Sequence, residues 1–281
     1  MATLSVTMVT LNEEKKLPAA LESVKWADEI IVVDSGSIDR TVEIARSYGA
    51  KVYIEEWKGF ARQKQSALEK GNCDWLMSLD ADESVEPELA MEIQAVLRDG
   101  SPMDGFYIPR KNFLFGRWIK HGGWYPDRTR RLVRRGRGKF LPCSWHETLD
   151  IPGPTGILKH SLIHNSYATM AEFISTNNTY STWGAKVKYE QGHRGFSFRH
   201  ILLSPFFTFI YNYFFRLGFL DGKQGFVLHV NHAFQIFWKY AKAWELGYNP
   251  NARNELAAPR AGVGARPSED NVESQTTVAP S

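Results

Sequence analysis

The sequence predicts an α/β fold in which a mostly parallel sheet is flanked by helices and followed by a helical, aromatic extension. In the first hundred residues, short apolar runs alternate with segments of helical periodicity, the order expected of successive βα units. The segment Glu29–Asp34 (EIIVVD) has an uninterrupted apolar centre, typical of a parallel strand buried on both faces. A later apolar run, Trp75–Leu79, ends directly at two aspartates, and ligands bind at that edge of an open α/β sheet.

The first βα unit begins with a β-rich run, Thr3–Val9. Asn12 follows it, and we expect this residue to cap a helix that contains Leu17, Leu21 and Val24. The amino terminus thus runs straight into a strand pattern and lacks the basic-then-apolar layout of a signal peptide. We therefore expect a cytoplasmic chain.

The second and third strands are separated by a short helix. Glu29–Asp34 ends in a Ser-Gly-Ser turn, in which Ser37 is expected to cap the next helix. That helix ends at Gly49, and Lys51–Ile54 is predicted as a third strand. A further helix, Ala61–Lys70, leads to the strand that delivers the aspartates.

The last part of the first half is a helix that Pro87 opens and that ends before Gly100. Beyond it, strand-like pieces are predicted around Gly105–Pro109, Thr129–Val133 and Ser144–Asp150, separated by Gly- and Pro-rich loops. A helical, aromatic region follows from Met170 onward. Residues after Pro250 contain no aromatic side chain and are expected to be disordered. The predicted organisation is an α/β domain at 1–165 with halves 1–100 and 101–165, a helical extension at 166–250, and a disordered tail at 251–281.

Composition excludes some classes of protein. The 281 residues carry a formal net charge of +3 and two cysteines, Cys73 and Cys143, too few for a disulfide framework. The segment from Arg128 to Lys139 has seven basic residues and no acid. It could be a solvated face, a nucleic-acid patch or a cradle for phosphorylated sugars and anionic lipid. Since no nucleic-acid-binding motif is present, we favour the cradle and expect no nucleic-acid partner.

The triplet Asp80-Ala81-Asp82 is the main candidate site. Two carboxylates that converge on one point at the carboxyl end of a strand suit Mg²⁺ or Mn²⁺, which bind through one or two carboxylates plus substrate phosphates. A solvated acidic turn is the alternative. Glu83 could be a third ligand, but we expect it to cap the turn.

The aromatic region suggests a membrane surface. From Phe196 to Tyr240 there are 15 aromatic residues, interleaved with arginine and lysine. Its most apolar stretch, Ile201–Phe215, is 15 residues long, whereas a spanning helix needs about 20. An interfacial helix and a buried helical hairpin both remain open, and aromatic residues beside arginine favour the interface.

Four motifs recur in a fixed order. They are TLNE (10–13), IIVVDSGSIDRT (30–41), the DAD triplet and WHETL (145–149). Together they resemble glycosyltransferase family 2, inverting enzymes with the GT-A fold, and the fit is best to the branch that builds the lipopolysaccharide core. The resemblance covers residues 3–150 and extends less specifically to residue 245 through FLDGKQGF and FWKYAKAWE.

The resemblance implies a donor site for a nucleotide sugar. Asp82 would be the direct metal ligand, while Asp80 would reach ribose or a metal-bound water. Asp34 would contact the nucleoside, although it could instead cap the turn that follows it. Lys64 would supply a cation near the nucleotide, or be an ordinary helix-surface lysine. The full set of donor-side residues implied is Thr10, Asn12, Glu13, Asp34, Lys64, Asp80 and Ala81.

The resemblance also implies an acceptor side. Glu147 is the candidate general base that takes the acceptor proton, with Asp150 and Asp127 as the next candidates. His146 would orient the site or act as a ligand. Trp124 and Tyr125 could stack on a sugar ring or belong to the core, and Arg131 would hold an anionic group of the acceptor.

The function implied is transfer of a hexose, with UDP-glucose as the default donor and ADP-heptose as another, onto a lipid-linked saccharide such as lipopolysaccharide inner core. The enzyme would bind an anionic membrane surface at the inner face of the cell membrane. Two other classes compete with this interpretation: a sugar nucleotidyltransferase and a non-catalytic carbohydrate- or lipid-binding protein. TLNE, in place of a Gly-rich phosphate loop after the first strand, argues against the former. The sequence leaves the oligomeric state open.

Overall fold

The computed structural model describes residues 1–141 and 147–257. Its strands are β1 (Leu4–Thr10), β2 (Glu29–Asp34), β3 (Lys51–Ile54), β4 (Trp75–Ser78), β5 (Glu83–Val85), β6 (Gly105–Leu114), β7 (Arg117–Trp118), β8 (Asp127–Arg134), β9 (Lys139–Leu141), β10 (Thr148–Asp150), β11 (Thr155–Ile157) and β12 (Leu162–Tyr167). Its α-helices are α1 (Leu17–Ser23), α2 (Thr41–Ser47), α3 (Phe60–Glu69), α4 (Pro87–Asp99), α5 (Met170–Glu190), α6 (Ser204–Ile210), α7 (Gly222–Tyr248) and α8 (Pro250–Ala257).

One large mixed sheet organises the α/β domain. Its strand order is β3-β2-β1-β4-β8-β6-β12-β5, and β7 and β11 also pair with β6. The first four strands are mutually parallel, β8 is antiparallel to both of its neighbours, and β6 is parallel to β12. The strands β9 and β10 form a separate small sheet. The predicted α/β class is confirmed.

The core lies on both faces of this sheet. On one face, buried side chains of β1 and β4 pack with Leu17 and Leu21 of α1 and with Leu89 and Ile93 of α4. On the other face, α3 packs Ala67 against β2, and Leu68 joins a cluster with β4 and β8. Helices on both faces explain why the parallel strands read as continuous apolar runs.

Two predicted helix caps are wrong. Helix α1 begins at Leu17 rather than after Asn12, which adopts a left-handed φ of 54°. Helix α2 begins at Thr41, so Ser37 does not cap it. The reason is that the two loops bind each other. The backbone N–H of Asn12 donates to Ser37 Oγ at 2.8 Å, and the backbone N–H of Ile38 donates to Asn12 Oδ1 at 2.9 Å.

Two other predicted boundaries move. Strand β6 runs through Pro109 and continues to Leu114, because β8, β12 and β7 all pair along it. Helix α8 covers 250–257, so the beginning of the segment expected to be disordered is helical.

The extension after β12 is helical, as predicted. Helices α5 and α7 pack together closely enough that Gly184 of α5 faces the side chain of Lys239 with no space for a Cβ. The segment Arg199–Phe215 consists of α6 with one π-helical segment before it (Arg199–Leu203) and one after it (Tyr211–Phe215). Within the described part of the chain, no helix combines the length and apolarity needed to cross a membrane.

A polar joint attaches this extension to the catalytic domain. Asp221, buried just before α7, accepts hydrogen bonds from the backbone amides of Lys120 and His121 at 3.2 and 2.8 Å. Gly122 N donates to Arg216 O at 2.9 Å. The FLDG segment therefore fixes the loop that precedes Trp124.

Candidate active site

The first part of the site lies where β1 and β2 end. The parallel register places Thr10 beside Asp34. Asp34 is fully buried and accepts hydrogen bonds from Thr10 Oγ1 at 2.8 Å, from Ser37 Oγ at 2.5 Å and from the amides of Gly36 and Ser37. Asp34 thus holds the turn after β2, which is the structural alternative that the sequence left open for it.

The loop after β1 is tied to the start of α2. Glu13 N donates to Thr41 Oγ1 at 2.8 Å, and Glu14 N donates to Asp39 Oδ2 at 3.2 Å. Together with the bonds of Asn12, these contacts fix the two loops that border the carboxyl edge of the sheet. That edge is the position for a nucleotide in an open α/β sheet.

Asp80 follows β4 and is held between two cations. Its Oδ1 lies 2.6 Å from Lys64 Nζ, and its Oδ2 lies 2.5 Å from Arg131 Nη2. Burial by itself would raise the pKa of Asp80, but Arg131 and Lys64 outweigh it and hold the pKa well below its usual range. Ala81 packs its methyl group into the main core, so only its backbone is available to a ligand.

Lys64 connects Asp80 to Glu147. The lysine is buried on α3, and its Nζ lies 2.5 Å from Glu147 Oε1. Burial alone would lower the pKa of Lys64, yet the pKa is raised, because Asp80 and Glu147 stabilise the cation. Lys64 is therefore not a surface lysine, and it joins the donor-side motif to the predicted base.

Asp82 occupies a more open position than Asp80. Its Oδ2 lies 3.6 Å from His164 Nε2 and 3.9 Å from Lys16 Nζ, and its side chain is 27% exposed. Burial would raise the pKa of Asp82, but its interaction with His164 outweighs that effect and the pKa is lowered. Within residues 1–141 and 147–257, this carboxylate has no side-chain hydrogen bond shorter than the 3.6 Å contact with His164, which leaves room for a further ligand.

A second set of buried charges holds the partners of Asp80 in place. Glu83 is fully buried; it accepts from Arg131 Nη2 at 2.7 Å, from Arg110 Nη1 at 3.1 Å and from the Asp80 amide at 3.2 Å. Arg110 continues the network to Asp127 at 2.6 Å. Glu83 thus caps the turn, as predicted, and also fixes both arginines.

Arg131 is not placed on an open acceptor surface. It is buried on β8 and directed at Asp80 and Glu83. Burial would lower the pKa of Arg131, but these two carboxylates raise it above the usual arginine value. The alternation of a β-strand explains the difference, since neighbouring residues of the basic run face opposite sides of the sheet.

The two predicted stacking residues have packing partners. Trp124 is half-buried against a cluster with Leu114, Ile119, Phe173 and Leu228, and its carbonyl accepts from Asn112 Nδ2 at 3.2 Å. Tyr125 contacts Trp118 edge-to-face at 5.2 Å between ring centroids.

The other base candidates can be compared with Glu147. Asp127 is bound by Arg110 and by Asn112 Nδ2 at 3.1 Å, and Asp150 lies 3.6 Å from Arg130 Nη1. His146 lies outside the described residues.

Sequence reasoning missed several residues at the site. His164 of β12 has its Nδ1 2.7 Å from Asn112 Oδ1, so Nδ1 carries the hydrogen and Nε2 faces Asp82. Lys16 pairs with Glu172 of α5 at 2.9 Å. Burial, with added contributions from Glu147 and Asp82, raises the pKa of Tyr180 of α5. No spacing motif marks these residues, because distant segments bring them together.

The residues present fit a metal that is completed by substrate. Across 1–141 and 147–257 no cluster of three or more His, Cys, Asp or Glu forms a closed metal site. Asp82 and His164 Nε2 offer one carboxylate and one imidazole. Mg²⁺ and Mn²⁺ accept such incomplete protein shells when substrate phosphates and water supply the other ligands.

The model of the family "Glycosyl transferase family 2" matches residues 5–149, from β1 to β10. The chain belongs to glycosyltransferase family 2.

Relatives span nearly the whole chain. The lipopolysaccharide core biosynthesis glycosyltransferase LpsC of Rhizobium meliloti is 32% identical over 90% of this chain and 97% of its own length. An uncharacterized glycosyltransferase of Rickettsia typhi is 29% identical over 92% of this chain and 91% of its own. The similarity therefore includes the helical extension.

Solved structures also match at low identity. S. aureus TarS residues 1–349 in complex with UDP has a TM-score of 0.45 and 16% identity, covering 86% of this chain and 90% of that one. Glucosyl-3-phosphoglycerate synthase from Mycobacterium tuberculosis, solved with Mn²⁺ and UDP, has a TM-score of 0.45 and 16% identity, covering 65% of this chain and 78% of that one.

The buried charge network yields a prediction of stability. Replacing Glu83 with Gln leaves Arg131 and Arg110 each with one carboxylate fewer, so Glu83→Gln should lower the free energy of unfolding by about 3 kcal/mol. Urea denaturation followed by circular dichroism measures the change. Glu88→Gln, on an exposed residue of α4, should stay within about 0.5 kcal/mol. Equal stability of the two variants would contradict the importance of the network.

Proposed function

We propose that this glycosyltransferase transfers a sugar, with inversion, from a nucleotide-sugar donor to a lipid-linked saccharide such as lipopolysaccharide inner core. The observation that carries the proposal is Lys64, which holds the donor-side Asp80 and the acceptor-side Glu147 at 2.6 and 2.5 Å. One cation thus keeps the two functional carboxylates at a fixed separation. The similarity to LpsC along nearly the whole chain supports the lipopolysaccharide-type acceptor.

The donor side is assigned to the carboxyl edge of β1, β2 and β4. Thr10, Asn12, Glu13 and Asp34 border the nucleoside, with Asp34 acting through the turn that it holds. A UDP-hexose is the first donor to test and an ADP-heptose the second.

Asp82 and His164 would hold Mg²⁺ or Mn²⁺ next to the donor diphosphate. When bound, the metal supplies positive charge that neutralises the departing nucleoside diphosphate. Asp80 stays paired with Lys64 and Arg131, so its role is to orient these cations and to reach ribose or a bound water.

Glu147 is the proposed general base. In a single displacement, the acceptor oxygen bonds to the anomeric carbon, the bond from that carbon to the diphosphate oxygen breaks, and the acceptor proton passes to the carboxylate of Glu147. Lys64 keeps this carboxylate at the site before the acceptor binds. Trp124 and Tyr125 lie on the loop fixed by Asp221 and would border the acceptor.

A sugar nucleotidyltransferase and a non-catalytic binding protein are less consistent with these observations. Family membership covers β1 to β10, and the carboxylates of Asp80, Asp82 and Glu147 are intact.

The helical extension is proposed to lie on the inner face of the cell membrane. Phe206, Phe207 and Phe215 are at least half exposed on the segment around α6, and Arg199 and Arg216 border it. Aromatic side chains beside arginine bind well at the headgroup boundary of anionic lipid. An acceptor anchored in lipid would then be within reach of the site.

A donor screen tests the proposed reaction. The purified chain is incubated with Mn²⁺, a lipopolysaccharide-core acceptor and UDP- or ADP-sugars, and the products are measured by mass spectrometry. Addition of one hexose or heptose mass to the acceptor supports the proposal. Formation of nucleoside triphosphate and sugar 1-phosphate when pyrophosphate is added, which is the reverse reaction of a sugar nucleotidyltransferase, or no turnover with any donor, contradicts it.

Asp82→Asn should abolish metal-dependent donor binding while the fold stays intact, because the side chain is partly exposed and is assigned as a ligand. Calorimetry with Mn²⁺ and nucleoside diphosphate measures the loss. Asp99→Asn, at the exposed end of α4, should bind normally. Unchanged Mn²⁺ and nucleotide affinity in Asp82→Asn would show that the metal assignment is wrong.

Glu147→Gln preserves shape but removes the base, so turnover should fall by about 10²–10⁴-fold while donor affinity is retained. Steady-state kinetics and donor titration measure the two effects separately. The matched control is Glu56→Gln, at an exposed glutamate. Near-normal turnover in Glu147→Gln would assign the proton transfer to another group.

Membrane association should depend on the exposed rings. The affinity of the double variant Phe206→Ser, Phe207→Ser for anionic vesicles should be lower by at least about tenfold, because the substitutions remove two phenyl rings that would be buried in the lipid. Binding of the unaltered protein should weaken with salt. The control is Ile38→Ser, Met91→Ser, at two exposed apolar residues of the catalytic domain. Equal flotation of both double variants would contradict an interfacial role for α6.

A further inference from the structure

A cavity lies in the helical extension, and the residues that form it have no part in the proposed reaction. It has a volume of about 290 Å³ and lies between the turn after α5 and the side of α7. Its polar lining comes from His193, Arg194, Ser197, His200 and Tyr240. This volume is at the small end for ligand sites and suits a headgroup rather than a whole lipid or an oligosaccharide.

Three rings form one wall of the cavity. His200 stacks on Tyr240 with centroids 4.8 Å apart, and His193 lies 5.1 Å from His200. Ser197 Oγ lies 2.9 Å from His200 Nδ1. His193 Nδ1 is buried and has no hydrogen-bond partner in the described part of the chain. A buried ring nitrogen without a partner is costly unless a ligand supplies one.

Basic side chains lie in and near the cavity. Arg194 lines it, and Lys188, Arg199 and Lys239 lie near His200. Within residues 1–141 and 147–257, none of these four forms an ion pair with a carboxylate. Burial, and then the nearby Lys188, lower the pKa of Lys239. Burial, and then His193 and the surrounding cations, lower the pKa of His200. Elsewhere in this protein, buried cations are matched with carboxylates, as Lys64 and Arg131 are.

The rim of the cavity is aromatic and exposed. Phe196 and Trp244 contact edge-to-face at 5.3 Å, and Phe196 and Phe198 are each more than half exposed. Apolar rings beside an unmatched basic cavity are the surroundings that a phosphate group at a lipid–water boundary would meet.

We propose that this cavity binds the phosphate group of an anionic phospholipid headgroup, through Arg194, Lys188, Lys239 and the imidazoles of His193 and His200. Guanidinium and ammonium groups supply charge-assisted donors, and Ser197 and the imidazole N–H groups complete the set. The nearby cations disfavour a cationic ligand. The exposed rim distinguishes a lipid-borne phosphate from a soluble one, because Phe196 and Phe198 would enter the headgroup layer beside it.

This inference deepens the proposed function, since it names the lipid chemistry at the membrane face. The experiments that test it measure phosphate and vesicle binding at His193 and His200 and do not require sugar transfer. Failure of this inference is therefore distinguishable from failure of the proposed reaction.

The first experiment uses the full chain with ¹⁵N-labelled histidine and NMR. Addition of glycerol phosphate, with inorganic phosphate as a second probe, should shift the ring signals of His193 and His200, while those of His160 in the catalytic domain stay fixed. Substitutions His193→Gln and His200→Gln assign the signals. If neither ring signal shifts with either soluble probe, and neither shifts with the vesicles described below, the proposal is overturned.

The second experiment compares the lysines near the cavity with an exposed lysine of α5. Lys239→Gln and Lys188→Gln should each weaken phosphate affinity by about fivefold or more, whereas Lys186→Gln, an exposed lysine of α5, should not. Circular dichroism verifies that each variant folds. Equal losses in all three would mean that only diffuse surface charge is involved and would overturn a built site.

Vesicles separate the two sources of phosphate. Vesicles of phosphatidylcholine with phosphatidylglycerol should shift the ring signals of both histidines. They should also bind the unaltered protein more tightly than they bind Lys239→Gln, by the same factor as soluble phosphate does. Response to soluble phosphate without response to vesicles would overturn the lipid source and assign a soluble phosphate ester. An acidic peptide that shifts these rings when neither phosphate probe does would overturn the phosphate assignment.

Discussion

The contact between buried Lys64 and two carboxylates is the interaction on which the site depends. An ammonium group removed from water is stable only with matched charges, so α3, the turn after β4 and the residue before β10 must meet at one point. Asp80 is fixed in turn by Arg131. The result is a rigid carboxylate, Asp80, next to a more loosely held one, Asp82.

The second layer of charge explains why such a site keeps its geometry. Glu83 holds Arg131 and Arg110, and Arg110 holds Asp127. Buried ion pairs contribute little net stability compared with apolar packing, because each charge loses its hydration. Their directional hydrogen bonds nevertheless allow few arrangements of the chain, which is the property needed to hold catalytic groups within a fraction of an ångström.

The helical extension is part of the enzyme rather than an appendage. Glu172 of α5 pairs with Lys16 beside Asp82, and Phe173 packs into the cluster that contains Trp124. Asp221 binds the loop before Trp124. Because the same helices expose aromatic rings on their outer surface, one element both borders the site and faces a surface that is proposed to be lipid. Orientation at a membrane and access of acceptor would then be set by one packing arrangement.

The sequence by itself determined the first four strands, the α/β class, the family and the position of Asp80 and Asp82, because hydrophobic periodicity and strand-end motifs are local. It also placed Asp34 and Thr10 at one edge, since parallel neighbours end together. Only the tertiary structure decided which groups meet: Lys64 and Glu147 are 83 residues apart in the chain, and no pattern relates them. The caps assigned to Asn12 and Ser37 were wrong for the same reason, because each polar side chain bound a partner from another loop. Local propensity selects the elements, whereas matching of buried charges and hydrogen bonds across distant segments selects the site.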